Sequence, residues 1–423
     1  MKTPALSHPW VLSLTLALVF AFTGCASPAL STQTLDDYRT VLQAKVDAGE
    51  IPGAVFLLLR DGKVVREDAV GWRDREAKVP MTTDSIFRIA SMTKAVTSAA
   101  VMILVDEGKV RLDDPLSKYV PEFAQVQVGV ERAGPSGAPE LFTEPPRKPI
   151  QVIDLMRHTS GLTYSFTGET LVHQRYKAAR LSAAQSNEQL SVNLAKLPLL
   201  LQPGVRFEYG MSHDVLARVV EVASGMEFGA FLAARIFNPL AMVDSGFSVD
   251  ATRYARIAEP QVDPKTGKRM DAADVKVPPR WTSGGGGMVS TARDYARFAQ
   301  MLLNGGTLDG VRVLSKESVR QMMTNQLPAQ LPADGEKTQY FFFDPSVDNG
   351  NGFGFGGAVR IAQGTNNIPG SIGDYSWSGG YGTYFWIDPS EHLVGVLMVQ
   401  KFFVDAVPLW RTTREYTYRA LGR

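Results

Sequence analysis

Strand-forming runs stand at both ends of the chain and helical periodicity fills the interval, an arrangement that restricts the fold more than any other feature of the sequence. Gly53 to Arg60 and Lys63 to Val70 are rich in β-branched and aliphatic residues, and Asp61-Gly62 between them is a strong two-residue hairpin signal. Far downstream, Gly352 to Gln363, Gly380 to Asp388 and His392 to Gln400 are again strand-like, with Asp388-Pro389-Ser390-Glu391 turning between the last two. Strand edges left open at one end of a chain have to be closed by strands from the other. The expected fold class is α/β in the α+β sense: an antiparallel sheet flanked by helices, carrying an inserted, mostly helical lobe. Approximate boundaries are 35–105 plus 301–423 for the discontinuous sheet domain and 106–300 for the lobe. The cleft between them is the natural place for a site.

Leu35 to Ala48 repeats apolar residues at helical spacing, and Ser91 to Glu107 does so again, with Ala95, Val96, Ala99, Met102 and Ile103 on one face and Gly108 as the stop. Helical patterns dominate from Val152 to about Leu303, and a final helix is expected over Trp410 to Leu421. Gln125 to Pro149 lacks periodicity and reads as a long surface loop, either shaping a site or lying idle. The glycine run Gly284 to Gly287 reads as a backbone requirement or as a cleft wall, and a hydroxyl-to-acid pattern after Ser290 marks a helix start.

The N-terminus has its own signature. Met1-Lys2 and the apolar stretch Pro9 to Phe22 have the charged start and short greasy middle of a secretory signal. Spanning a bilayer takes roughly 20 apolar residues, more than this stretch supplies. It ends in Phe22-Thr23-Gly24-Cys25, which looks like a lipobox with an unusual Phe, so residues 1–25 are expected to be a signal and 26–34 a tether, with lipid attached at Cys25. By lipoprotein sorting rules, Ser27 then points to the periplasmic face of the outer membrane. Ordinary cleavage nearby would instead leave a soluble exported protein. As the sole cysteine, Cys25 excludes an internal disulfide and a thiolate metal cluster. With 44 Lys plus Arg against 43 Asp plus Glu, there is no net field to attract nucleic acid or an anionic membrane, so the expected partners are small molecules.

A serine hydroxyl is a weak nucleophile without a base, so the informative pattern is a serine with a basic residue at fixed spacing. Phe87-Arg88-Ile89-Ala90-Ser91-Met92-Thr93-Lys94 supplies one: at a helix start, Lys94 lies one turn beyond Ser91 on the same face. The helix macrodipole there disfavours an extra positive charge, which suits a lysine acting as a base. The chain contains neither G-x-S-x-G nor H-E-x-x-H. No cofactor or metal is expected.

Taken together with Leu155-Met156-Arg157-His158-Thr159-Ser160-Gly161-Leu162, Pro203-Gly204-Val205-Arg206-Phe207-Glu208-Tyr209 and Gly286-Gly287-Met288-Val289-Ser290-Thr291, this segment resembles the serine β-lactamases, penicillin-binding DD-peptidases and their esterase relatives. The nearest resemblance is to the class C β-lactamase-like carboxylesterases called family VIII. It extends from about Leu35 to Leu421. It implies a Ser91 nucleophile, with Lys94 and Tyr209 handling the proton in an order the sequence leaves open. Trp377-Ser378-Gly379 resembles the third motif of the esterase branch, and the backbone N–H groups of Ser91 and Gly380 are then the implied oxyanion hole.

Two departures favour an esterase. Trp377 stands where a lysine would pair with a β-lactam carboxylate, and Met211 where an asparagine would hold its amide. Apolar groups there suit neutral acyl esters. The expected substrate-binding residues are Trp377, Ser378, Gly379, Met211 and Tyr381, and the expected activity is hydrolysis of short-chain esters, with weak cephalosporin turnover permitted by the resemblance. A β-lactamase or DD-peptidase is the alternative within the fold, and a non-catalytic ligand-binding surface protein the alternative outside it. Tyr164, Phe166 and Trp281 are read as pocket-lining or simply packed, His158 as structural, and His213 as solvated or capping.

Overall fold

The computed structural model describes residue 1 and residues 30–263, 266–328, 350–364 and 368–423; Cys25, the rest of the proposed signal after residue 1 and the start of the proposed tether lie outside them. Strands from the two ends form one antiparallel sheet of eight. Those near the N-terminus are β1 (Gly53–Arg60), β2 (Lys63–Asp74) and β3 (Val79–Pro80). Those near the C-terminus are β4 (Asn351–Phe353), β5 (Ala358–Arg360), β6 (Tyr375–Ser378), β7 (Tyr384–Asp388) and β8 (Leu393–Val399). The order across the sheet is β4-β5-β6-β7-β8-β1-β2-β3. The seam between the ends is the β1–β8 ladder, running from Ala54 opposite Val399 to Arg60 opposite Leu393. Asp61 and Gly62 both take left-handed backbone conformations, as the tight turn into β2 requires.

Every residue of β1 is buried, which explains why Ala54 to Leu59 is uninterruptedly apolar and does not alternate. One face carries Phe56, Leu58, Trp386 and Leu397, covered by α1 (Thr32–Asp47) and α5 (Phe403–Ala420). The other carries Val55, Leu57, Phe385 and Val396, packed on α2 (Thr93–Asp106), α4 (Ala292–Leu303) and the rest of the helical body. In that body, α3 (Ser212–Ser224) lies against α2. Thr291 caps α4 by accepting from the Asp294 N–H at 3.1 Å, as the hydroxyl-to-acid spacing suggests.

Two expectations need correction. Gln125 to Pro149 contains a two-stranded hairpin, Val128–Ala133 against Pro139–Glu144, turning at Gly134 to Gly137. Most of its residues are at least partly exposed, so the inside-outside alternation that identifies a strand is missing. The last helix begins well before Trp410, because Pro408 is carried inside α5 and does not mark its boundary. Among the described residues no helix is long and apolar enough to cross a membrane.

Candidate active site

Ser91 sits, partly exposed, in the single 3₁₀ turn Ala90–Met92, and α2 follows at once. Ala90, directly before it, is held at φ 43°, a strained conformation for a residue with a Cβ. The surroundings fix it there. The Ile89 N–H donates to the Met288 carbonyl at 3.0 Å and the Thr383 hydroxyl to the Ile89 carbonyl at 3.2 Å. The Thr93 hydroxyl donates to the Ala90 carbonyl at 2.6 Å, and the Tyr295 hydroxyl to that of Met92 at 2.8 Å.

One turn into the helix, Lys94 is fully buried, and its Nζ has three hydrogen-bond partners. They are Ser91 Oγ at 3.1 Å, the Tyr164 hydroxyl at 3.3 Å and the Gly285 carbonyl at 2.6 Å. Nζ also lies 4.6 Å from the Tyr209 ring centroid and 5.5 Å from that of Tyr164. The hydroxyl, the amine and the two phenol rings therefore meet, although Tyr209 is remote in sequence. Tyr209 is held from behind: its ring is 4.8 Å from His158 and 5.6 Å from Trp377, and His158 Nδ1 accepts the neighbouring Gly210 N–H at 3.4 Å.

His158 has the structural place expected of it. His213 does not: it is buried, with Nε2 3.1 Å from the Ser98 hydroxyl, because the face of α3 that carries it packs on α2 and is shut off from water. Burial holds both imidazoles well below the usual histidine range, reinforced by the Lys94 charge and, for His158, by His213. Both are neutral at pH 7, and neither touches Ser91.

The third motif lies beside the nucleophile. A Cβ on Gly379 would fall 2.2 Å from the Thr383 hydroxyl and 2.3 Å from the Ile89 carbonyl oxygen, so only glycine permits this approach. At Gly380 the nearest atom would be the Ala90 Cβ at 3.9 Å, leaving open space next to Ser91. Trp377 faces Tyr209. Met211 is buried at the start of α3, and the Tyr381 hydroxyl accepts the Ala273 N–H at 3.2 Å. Ser378 lines, together with Trp377, Arg360, Asp374, Tyr384 and Arg414, a cavity of about 130 Å³ between the sheet and α5.

Tyr164 was read from sequence only as a possible liner, yet its hydroxyl reaches Lys94. Its position two residues after Leu162, in a quoted motif segment, was the available signal. The glycine run is a close-approach device. A Cβ on Gly284 would sit 2.3 Å from the His213 carbonyl, and one on Gly285 would sit 2.5 Å from Asp214 Oδ2 and 2.9 Å from the Tyr164 hydroxyl. Among the described residues no cluster of His, Cys, Asp and Glu could hold a metal. The arrangement suits acyl transfer: a hydroxyl touched by an amine, at a helix start, beside a glycine strand end that an acyl group can approach.

A family profile described as Beta-lactamase matches residues 38–418. Protein Rv1367c of Mycobacterium tuberculosis is 38% identical over 372 residues, covering 86% of this chain and 90% of its own. Esterase EstB of Burkholderia gladioli is 29% identical over 389 residues, covering 86% and 90%. Among solved structures, EstCE1, described as a hydrolase with promiscuous acyltransferase activity, superposes with a TM-score of 0.74 at 25% identity, covering 91% of this chain and 99% of its own.

Proposed function

The chain belongs to the Beta-lactamase family and is a serine hydrolase, and from that premise we propose that it is a carboxylesterase acting on short-chain acyl esters through a Ser91 acyl-enzyme. The observation that carries this reading is the 3.1 Å contact between Lys94 Nζ and Ser91 Oγ; the resemblance adds that Trp377 and Met211 replace the residues that would anchor a β-lactam. The esterase name of EstB and the description of EstCE1 as a hydrolase support this reading.

In the proposed cycle Ser91 Oγ attacks the ester carbonyl carbon while its proton passes to the Lys94–Tyr209 pair. The carbonyl oxygen becomes an oxyanion, held by the Ser91 and Gly380 N–H groups. Collapse breaks the bond to the alkoxy group, which leaves as the alcohol after receiving that proton. A water molecule then attacks the acyl-enzyme by the same route, releasing the acid and restoring Ser91. Tyr164, hydrogen-bonded to Lys94, belongs to the same proton-sharing group.

The test compares kcat/KM for p-nitrophenyl butyrate and for a chromogenic cephalosporin, with covalent labelling by a fluorophosphonate. The expected result is a preference for the ester, with Ser91→Ala losing both turnover and label. A cephalosporin preferred by a large margin makes the protein a β-lactamase, and an unlabelled wild type removes the serine nucleophile.

A further inference from the structure

We propose that Asp214 is a positioning residue that fixes the Lys94 side-chain nitrogen beside Ser91 by holding residue Gly285. The proposal rests on the Ser91–Lys94 reading above and adds a residue to it. Asp214, in the first turn of α3, is 2% exposed. Its Oδ1 accepts from the Ser283 hydroxyl at 2.5 Å and from the Gly285 N–H at 3.0 Å. The Gly285 carbonyl in turn accepts from Lys94 at 2.6 Å, the shortest of that nitrogen's three hydrogen bonds. A carboxylate on one helix thus reaches a lysine on another through a single residue of main chain.

The main chain at that point has no side chains of its own to fix it. Gly284 to Gly287 is four glycines in succession, the most permissive backbone available, and a Cβ at Gly285 is excluded because Asp214 Oδ2 and the Tyr164 hydroxyl both close on it. The Thr97 hydroxyl pins one side by donating to the Gly284 carbonyl at 2.7 Å, and Asp214 pins the other. The Gly286 and Gly287 N–H groups also donate to the Ser283 carbonyl, at 3.4 and 3.0 Å, so the turn persists without Asp214; what is lost is the acceptor that sets the Gly285 peptide within it, and a Lys94 side chain whose shortest contact shifts no longer keeps one orientation toward Ser91.

Asp214 is also expensive to bury. No salt bridge to it exists among the described residues, and its two acceptor bonds come from neutral groups. Desolvation raises its carboxyl, opposed by the Lys94 charge and by the bonds from Ser283 and Gly285. The other titratable groups around Lys94 are Tyr164, Tyr209 and the two neutral imidazoles of His158 and His213, so Asp214 is the one acid facing it in this group.

The test uses Asp214→Ala, Asp214→Asn and, as a control on the same helix, the buried Leu216→Ala. Each is read for p-nitrophenyl butyrate kcat and KM, for the rate of fluorophosphonate labelling and for Tm. Misplacing a catalytic group by about 1 Å costs on the order of 10²-fold. Asp214→Ala is therefore expected to lose about 10- to 100-fold in kcat and in labelling rate, with KM within about threefold. Asp214→Asn keeps an oxygen that can accept from Gly285 and is expected to recover to within about fivefold of wild type. Leu216→Ala is expected to lower Tm while labelling at close to the wild-type rate. The proposal is overturned if Asp214→Ala labels like wild type, if Asp214→Asn is no better than Asp214→Ala, or if Leu216→Ala loses as much activity. Labelling does not depend on which ester is turned over, so a labelled wild type that ignores esters sinks the carboxylesterase reading and still decides the role of Asp214. An unlabelled wild type sinks both.

Discussion

Adjacent glycines in the third motif should respond in opposite ways to the same methyl group. In Gly379→Ala the new Cβ meets the Ile89 carbonyl oxygen at 2.3 Å and the Thr383 hydroxyl at 2.2 Å. The Ile89 carbonyl is main chain, already engaged by Thr383, two residues before Ser91, and has nowhere to go. An ordinary contact of about 3.4 Å is regained only if the end of β6 moves away by about 1 Å, which takes the Gly380 N–H out of hydrogen-bonding range of an oxyanion. Loss of one such donor costs about 10² to 10³ in kcat, or about 3–4 kcal/mol of barrier. In Gly380→Ala the Cβ meets only the Ala90 Cβ at 3.9 Å and the N–H remains, so a loss of no more than about fivefold is expected. Neither glycine has a positive φ, so backbone strain does not confuse the comparison. Initial rates on p-nitrophenyl butyrate, with Tm for both variants, give the answer. Equal losses in two folded variants, or a near-normal Gly379→Ala, would refute the reasoning.

Two further outcomes concern stability. His158 and His213 stay neutral in the fold but take up protons in the unfolded chain below about pH 6.5, so the unfolded state binds more protons there and stability falls as pH drops below that value. Each contributes up to about 1.4 kcal/mol per pH unit; His213→Gln should lose less stability between pH 7 and pH 5 than wild type in urea denaturation, and an equal loss contradicts the assignment. Asp374, 3% exposed, accepts from Arg360 at 2.8 Å and also from Arg414, so Asp374→Ala strands two buried guanidinium groups. It should cost about 3–5 kcal/mol by chemical denaturation, and a cost under about 1 kcal/mol would show that water reaches them.

What was legible in the sequence was what short-range geometry or strong patterning encodes. Ser91 and Lys94 are joined by helix spacing, and the sheet followed from apolar runs and the Asp61-Gly62 turn. The hairpin at Val128–Glu144 was not legible because most of its residues are at least partly exposed and it carries no alternation. His213 was misread because polar identity suggested water, while tertiary packing closed the α2–α3 interface over it. The Asp214–Gly285 contact joins residues 71 apart and uses a main-chain carbonyl and N–H, which every residue has and which no side-chain pattern marks. Tyr164 fell between the two cases: its motif context was visible, its reach to Lys94 was not.

The seam between β1 and β8 has a consequence for how the molecule comes into being. The strand Gly53–Arg60 is made long before Leu393–Val399, the partner that completes its ladder. Until then β1 has one hydrogen-bonding edge unpaired, so the sheet cannot be completed before Leu393–Val399 is made. A nascent chain halted before Leu393 is expected to lack a finished sheet and to depend on chaperones to stay out of aggregates.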